Sequence, residues 1–240
     1  MTTQLSSSMR TRIKICGLTR EADVDAAVAA GADAIGFVLY EKSPRHVPIH
    51  RAAELARRLP PFVTPVLLFV NARLDEIVAA VALVGPALLQ FHGDETPGQC
   101  LDAARAAGSA YIKAARIPPG EATALFDLVE YAAHYRSAQA ILLDALVDGY
   151  GGGGKTFNWS LLPPNVNCHL VLSGGLTPAN VTDGILQLRP RCKTLAVDVS
   201  SGVEMSKGIK DATLIHQFVA AVRAADIQLA DKNHVPIPAT

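Results

Sequence analysis

Short apolar runs alternate with longer amphipathic stretches from one end of the chain to the other. The runs Arg12–Cys16, Ala34–Leu39, Thr64–Val70, Ala87–Phe91, Ala110–Ala114, Ala140–Leu143, Cys168–Leu172 and Thr194–Val199 have the length and the β-branched content of strands. Each is followed by a segment with helical potential. After Asn71, read as an N-cap, Leu74, Ile77, Val78 and Val81 recur at helical spacing. Val24, Ala27 and Val28 stop at Gly31, a residue suited to the left-handed position after a helix. Thr96-Pro97 and Thr177-Pro178 each set an N-cap before a proline in the first helical position. Leu214, Ile215, Phe218, Val219 and Val222 form a last apolar stripe.

Repeated strand–helix units spaced by roughly 25–30 residues are what βα repeats require. The pattern predicts an α/β protein, a single (β/α)8 TIM barrel with a parallel eight-stranded core over residues 12–225. Residues 1–11 and 226–240 are expected to be loosely packed tails. A doubly wound open sheet is the competing arrangement, and no G-x-G-x-x-G follows the first strand to favour it.

Composition narrows the function classes. The chain has 240 residues, 22 basic and 22 acidic, so its net charge is zero and no global field steers an anionic partner. No basic patch with interleaved aromatics points to nucleic acid. The longest uncharged apolar run, Ile77–Phe91, is too short for a bilayer and is interrupted by Gly85-Pro86, which predicts a helix, a turn and a strand and no membrane partner. The opening residues lack the apolar run of a secretory signal. Cysteines at 16, 100, 168 and 192 match neither a CxxC nor a zinc pattern, so a reduced cytoplasmic chain without a metal is expected.

In a closed βα barrel, reactive groups gather where strands end. Lys14 and Cys16 share one face of the first strand, and Ile13 and Ile15 the other. Leu88, Gln90 and His92 share a parity, as do Leu142 and Asp144, and Ala196 and Asp198. Polar strand-end residues therefore fall out of step with their bulky apolar neighbours, as a barrel mouth lined for chemistry requires. Taken singly, each would pass for a helix cap or a turn residue. The segments Ser173-Gly174-Gly175 and Ser200-Ser201-Gly202 follow the seventh and eighth strands, where barrels commonly hold phosphate on backbone N–H groups. Arg45, after the second strand, suits a carboxylate. Gly149–Thr156 fits the P-loop spacing but neither follows a strand directly nor runs into a helix, so it reads as a glycine-rich lid.

Together these residues resemble the phosphoribosylanthranilate isomerases of tryptophan biosynthesis. The runs that carry the resemblance are Lys14-Ile15-Cys16-Gly17, Gly36-Phe37, Lys42-Ser43-Pro44-Arg45, Gln90-Phe91-His92-Gly93-Asp94-Glu95, Leu142-Leu143-Asp144, Gly152–Phe157, Ser173-Gly174-Gly175-Leu176 and Asp198-Val199-Ser200-Ser201-Gly202-Val203-Glu204. The resemblance implies a cofactor-free Amadori rearrangement of a phosphorylated aminosugar, with Cys16 as general base and Asp144 as general acid. It also implies that Arg45, His92 and Asp198 line the substrate pocket, and that Gly174, Gly175, Ser200, Ser201 and Gly202 hold the phosphate. Gly153, Asn158 and Ser173 depart from the family's usual threonine, aspartate and alanine. Two rival functions are a related isomerase acting on a histidine-pathway aminoimidazole ribotide, in which a carboxylate replaces the thiol, and a non-catalytic phosphate-binding barrel.

Overall fold

Eight strands pair in sequence order, each parallel to the next, and the eighth closes on the first. The computed structural model describes residues 10–146 and 156–232. The strands are β1 (Arg12–Cys16), β2 (Ala34–Val38), β3 (Thr64–Phe69), β4 (Leu88–Phe91), β5 (Tyr111–Ile117), β6 (Ala140–Ala145), β7 (Val166–Leu172) and β8 (Cys192–Val199). Helices α1 (Glu21–Ala30), α2 (Ile49–Ala56), α3 (Leu74–Val84), α4 (Pro97–Ala106), α5 (Leu128–His134), α6 (Val181–Leu188) and α7 (Ala212–Lys232) lie outside the barrel. The expected TIM barrel is the observed fold.

The period-2 pattern sorts side chains into two cores. Ile13, Ile15, Phe37, Leu89, Phe91, Leu143 and Val197 face outward and pack with helix residues such as Val24, Ile185 and Phe218. Burying a side chain of this size contributes roughly 1.5–3 kcal/mol. Inside the barrel, Cys16, Val38, Leu68 and Val70 form an upper cluster, and Ile112, Ala114, Leu142 and Val171 a lower one. Among the described residues, no helix is long and apolar enough to cross a membrane.

The structure corrects several boundaries. Asn71 does not cap α3, whose N-cap is Arg73. Asn71 has a φ of 50°, its N–H donates to Glu95, and its Oδ1 accepts from the Asp94 N–H. Thr96 caps α4 as expected, with Gln99 completing the capping box. Thr177-Pro178 instead opens a turn closed by Asn180, and α6 starts at Val181. Between β6 and β7, the described residues hold only a 3-10 turn, Trp159–Leu161, in place of a helix. After β8 comes an unexpected hairpin, β9 (Glu204–Ser206) and β10 (Ile209–Lys210).

Neither tail boundary coincides with the edge of the packed structure. Thr11 is fully buried, and α7 continues past Ala225 to Lys232. Asp226 joins the two ends. It accepts from the Thr11 N–H at 2.9 Å and pairs with Arg189 at 3.2 Å. The carboxylate thus satisfies a buried backbone donor and pairs with one end of the half-buried Arg189 guanidinium, whose Nε and Nη1 find no partner among the described residues. The glycine-rich lid lies outside the described residues apart from Thr156.

Candidate active site

Strand register assembles the barrel mouth. Lys14 lies level with Asp198 across the β1–β8 seam, and their side chains meet at 2.8 Å with about 6% exposed on each. Cys16 follows on the same face, level with Gly36 of β2. Gly36 is there for room: a Cβ would sit 2.7 Å from the thiol sulfur and 3.1 Å from Lys14 Cε. Gly36→Ala should therefore displace both side chains and cost about 1–3 kcal/mol, the range for overpacking a filled core. Thermal unfolding of the variant measures this, and an unchanged Tm would show that the thiol yields freely.

Charge at Cys16 is contested. Burial pushes its thiol up, the Lys14 ammonium pulls it down, and Asp198 pushes it up again, for a net rise. The resting group at neutral pH in the substrate-free protein is therefore the thiol. Burial also opposes the Lys14 charge, but Asp198 and Cys16 more than offset it and hold the ammonium pKa above its ordinary value. Ser173, one of the departures from the family pattern, donates to Asp198 at 3.3 Å.

On the other side of the barrel, Gln90, His92 and Asp144 form a line. Gln90 Nε2 lies 3.0 Å from His92 Nδ1, and His92 Nε2 lies 3.0 Å from Asp144 Oδ2. The Ala145 N–H donates to Asp144 Oδ1 at 3.1 Å. Gly174, with a φ of +76°, crosses directly over this carboxyl; a Cβ there would meet Ala145 N at 2.5 Å and Asp144 Oδ1 at 3.0 Å. Gly175 follows with a φ of 64°, so two successive left-handed residues turn the backbone at the end of β7. Gly202 packs against the carbonyl of Leu176, which joins the loops after β7 and β8.

The hairpin adds a cluster that the sequence did not announce. Arg45 is buried, and its Nε and Nη2 donate to the two oxygens of Glu204 at 2.7 and 2.8 Å. Lys210 donates to Glu204 at 2.7 Å, to the Ser200 carbonyl at 3.0 Å and to the Ser200 hydroxyl at 3.2 Å. Ser200 in turn donates to the Cys16 carbonyl at 3.0 Å. Burial works against ionised Glu204, but Arg45 and Lys210 outweigh it and hold the carboxyl below its usual range. Lys210 shows the reverse balance, with burial lowering its pKa against Glu204.

Sequence patterning thus finds Cys16, Lys14, Asp144, His92 and Asp198, which the structure brings to the inner mouth. Gly174, Gly175, Ser201 and Gly202 stand in the two adjoining loops. Ser200 faces inward to Cys16 and Lys210, so its hydroxyl is already engaged. Glu204 and Lys210 escaped notice as site residues. Glu204 closes one of the motif runs, and no pattern marks Lys210. A separate cavity of about 710 Å3 opens among the strand starts, lined by residues such as Arg12, Thr64, Leu88 and His169.

Residues 13–221 match the family model described as N-(5'phosphoribosyl)anthranilate (PRA) isomerase. The chain belongs to this family. It is 63% identical over 222 residues to an N-(5'-phosphoribosyl)anthranilate isomerase of Methylibium petroleiphilum, covering 92% of this chain and 98% of that one. Among solved structures, the Thermotoga maritima phosphoribosyl anthranilate isomerase superposes with a TM-score of 0.78 at 40% identity, covering 89% of this chain and 99% of its own. A phosphoribosyl anthranilate isomerase in complex with reduced 1-(O-carboxyphenylamino)-1-deoxyribulose 5-phosphate superposes with a TM-score of 0.75 at 37% identity, over 89% and 99% of the two chains. In this family's barrel, the mouth described above is the end where strand-end side chains and glycine loops converge.

Proposed function

We propose that this chain isomerises N-(5'-phosphoribosyl)anthranilate to 1-(2-carboxyphenylamino)-1-deoxyribulose 5-phosphate, with Asp144 as general acid and Cys16 as general base. The observation that carries this is the placement of both groups on the inner face of one closed barrel, at the C-terminal ends of β1 and β6. Asp144 gives a proton to the furanose oxygen. The C1–O bond breaks, and the nitrogen electron pair closes a C1=N bond. The resulting iminium acidifies the C2 proton. Cys16, once its thiol has lost its own proton to solvent, takes that proton as the thiolate; the C2–H electron pair forms the C1=C2 bond as the C1=N pair returns to nitrogen, giving a neutral enolamine. Transfer of the proton on the C2 oxygen to C1 then yields the ketone.

The remaining groups fit the two ends of this substrate. Consecutive left-handed glycines at 174 and 175 leave the backbone uncovered by side chains, as the close approach of an anion requires. With the loop at Ser201-Gly202 they would receive the 5-phosphate. Arg45 would receive the anthranilate carboxylate through Nη1, which lies outside its pairing with Glu204. His92 lines the pocket beside Asp144, and Asp198 beside Lys14. The residue set supplies a proton donor, a proton acceptor and two anion sites, and this chemistry draws on no cofactor.

Incubating the purified chain with N-(5'-phosphoribosyl)anthranilate tests the proposal. Product should form without added metal or cofactor, and Arg45→Gln should raise KM by about tenfold or more, as loss of a charge-assisted pair implies. Turnover of an aminoimidazole ribotide with none of the anthranilate substrate would overturn it.

A further inference from the structure

Three charged side chains share one buried cluster where the β9–β10 hairpin meets the loop after β2. The side chain of Arg45 is 9% exposed, that of Glu204 5% and that of Lys210 0%. The hairpin is tied down on two sides. Thr19 Oγ1 donates to the Gly208 carbonyl at 3.0 Å, and Asp23 accepts from the Lys210 N–H at 3.3 Å. At Gly208, whose φ is +81°, a Cβ would meet the Pro44 carbonyl oxygen at 3.0 Å, so the hairpin turn lies against the residue before Arg45.

The cluster holds two cations and one anion. Arg45 and Lys210 each pair with Glu204 at 2.7 Å, and neither pairs with a second carboxylate among the described residues. The neighbouring ion pairs are closed, Lys14 with Asp198 and Arg20 with Asp23. One positive charge is therefore left over in a buried place, where an unmatched charge is costly. Its outlet is Arg45. Lys210 spends its donors on Glu204 and on the carbonyl and hydroxyl of Ser200. Arg45 gives Nε and Nη2 to Glu204, whereas Nη1 donates to no described residue and is not sealed from solvent.

A glutamate set against an arginine that receives a carboxylate works against it unless the glutamate's charge is cancelled. Glu204 orients the guanidinium through two parallel hydrogen bonds, but alone it would neutralise Arg45 and repel a second carboxylate. We propose that Lys210 is a positioning residue that sets the preference for an aryl carboxylate: it offsets Glu204, so that Arg45 is held in place and keeps its charge for the substrate. This rests on the reading of Arg45 as the carboxylate site. Glu204 supplies direction, Lys210 supplies charge balance, and the remaining edge of Arg45 meets the ligand.

Calorimetry with two ligands tests this: the reduced product, which carries the 2-carboxyl, and the corresponding phenylamino compound without it. The ratio of their Kd values measures the carboxylate preference. It is taken within each variant, so a loss of folded material lowers the stoichiometry and leaves the ratio unchanged. The native protein should prefer the carboxylated ligand by about 10–100-fold, the worth of one charge-assisted contact. Lys210→Met keeps Arg45 and its partner Glu204, yet should cut the preference to about threefold or less. Lys210→Met/Glu204→Gln again leaves one unmatched cation and should restore the preference to about tenfold or more. A packing role for Lys210 would weaken both ligands together and gain nothing from the second substitution. Equal weakening of the two ligands in Lys210→Met, or a double variant with no more preference than the single one, overturns the proposal. A native protein without the preference, or a preference that survives in Arg45→Gln, removes instead the reading of Arg45 on which it rests.

Discussion

Asp144→Asn and Cys16→Ser should each lose about 10²–10⁴-fold in kcat, the range that general acid or base catalysis contributes. KM should change little, because a proton in transit is bound only in the transition state. The two variants fail at different steps. Asparagine keeps the shape of Asp144 and its contact with the Ala145 N–H side of the site but has no proton to give, so the furanose ring stays closed. Serine keeps the volume of Cys16 to within one atom, yet its hydroxyl ionises far less readily than a thiol, so the opened iminium accumulates. Substrate carrying deuterium at C2 separates the cases. Cys16→Ser should show an isotope effect on turnover, and Asp144→Asn should show none. Native-like turnover in either variant would withdraw that residue's role, and equal isotope effects in both would place them on one step.

How much of this site was readable in the chain depends on how local its signals are. Each barrel strand sits on an apolar run, and strict alternation told Cys16 from Ile15 and Asp144 from Leu143. The apolar pattern marks the fifth strand as Ala110–Ala114, yet β5 runs from Tyr111 to Ile117. Arg116 reaches out to Asp94 at 2.7 Å instead of ending the strand. Asn71 carried the composition of a cap, but its side chain serves the β4 loop. Glu204 and Lys210 were out of reach for a different reason. The hairpin that presents them has strands of three and two residues, too short for any period, and their partners Arg45 and Ser200 come from separate loops. Gln90 had the right parity, but the run does not show its contact with the His92 ring. Patterning along a strand fixes which face a residue takes; the partners it meets there are set by closure of the barrel.

Lys14→Met should destabilise the protein by about 3–5 kcal/mol, because it leaves the Asp198 carboxylate buried and unpaired. Asp198 is 5% exposed, and Lys14 is its ion-pair partner at 2.8 Å. The double variant Lys14→Met/Asp198→Asn removes both charges and should recover most of the loss, since the penalty belongs to the orphaned ion more than to the missing attraction. The thiol responds separately. Lys14 draws the Cys16 pKa down and Asp198 pushes it up. Loss of the ammonium alone therefore raises the thiol pKa on both counts: the favourable charge is gone, and the unfavourable one is no longer neutralised. In the double variant the thiol should titrate below the single variant and above the native protein. Thiolate absorbance, taken as the difference from the corresponding Cys16→Ser background, follows this directly, and the pH dependence of kcat/KM should move with it. A Cys16 titration that stays in place when Lys14 is replaced would exclude the lysine as the group that assists the base. Recovery of stability without recovery of the thiol titration would show that one ion pair performs two separable tasks: it holds the β1–β8 seam and it sets the charge beside the sulfur.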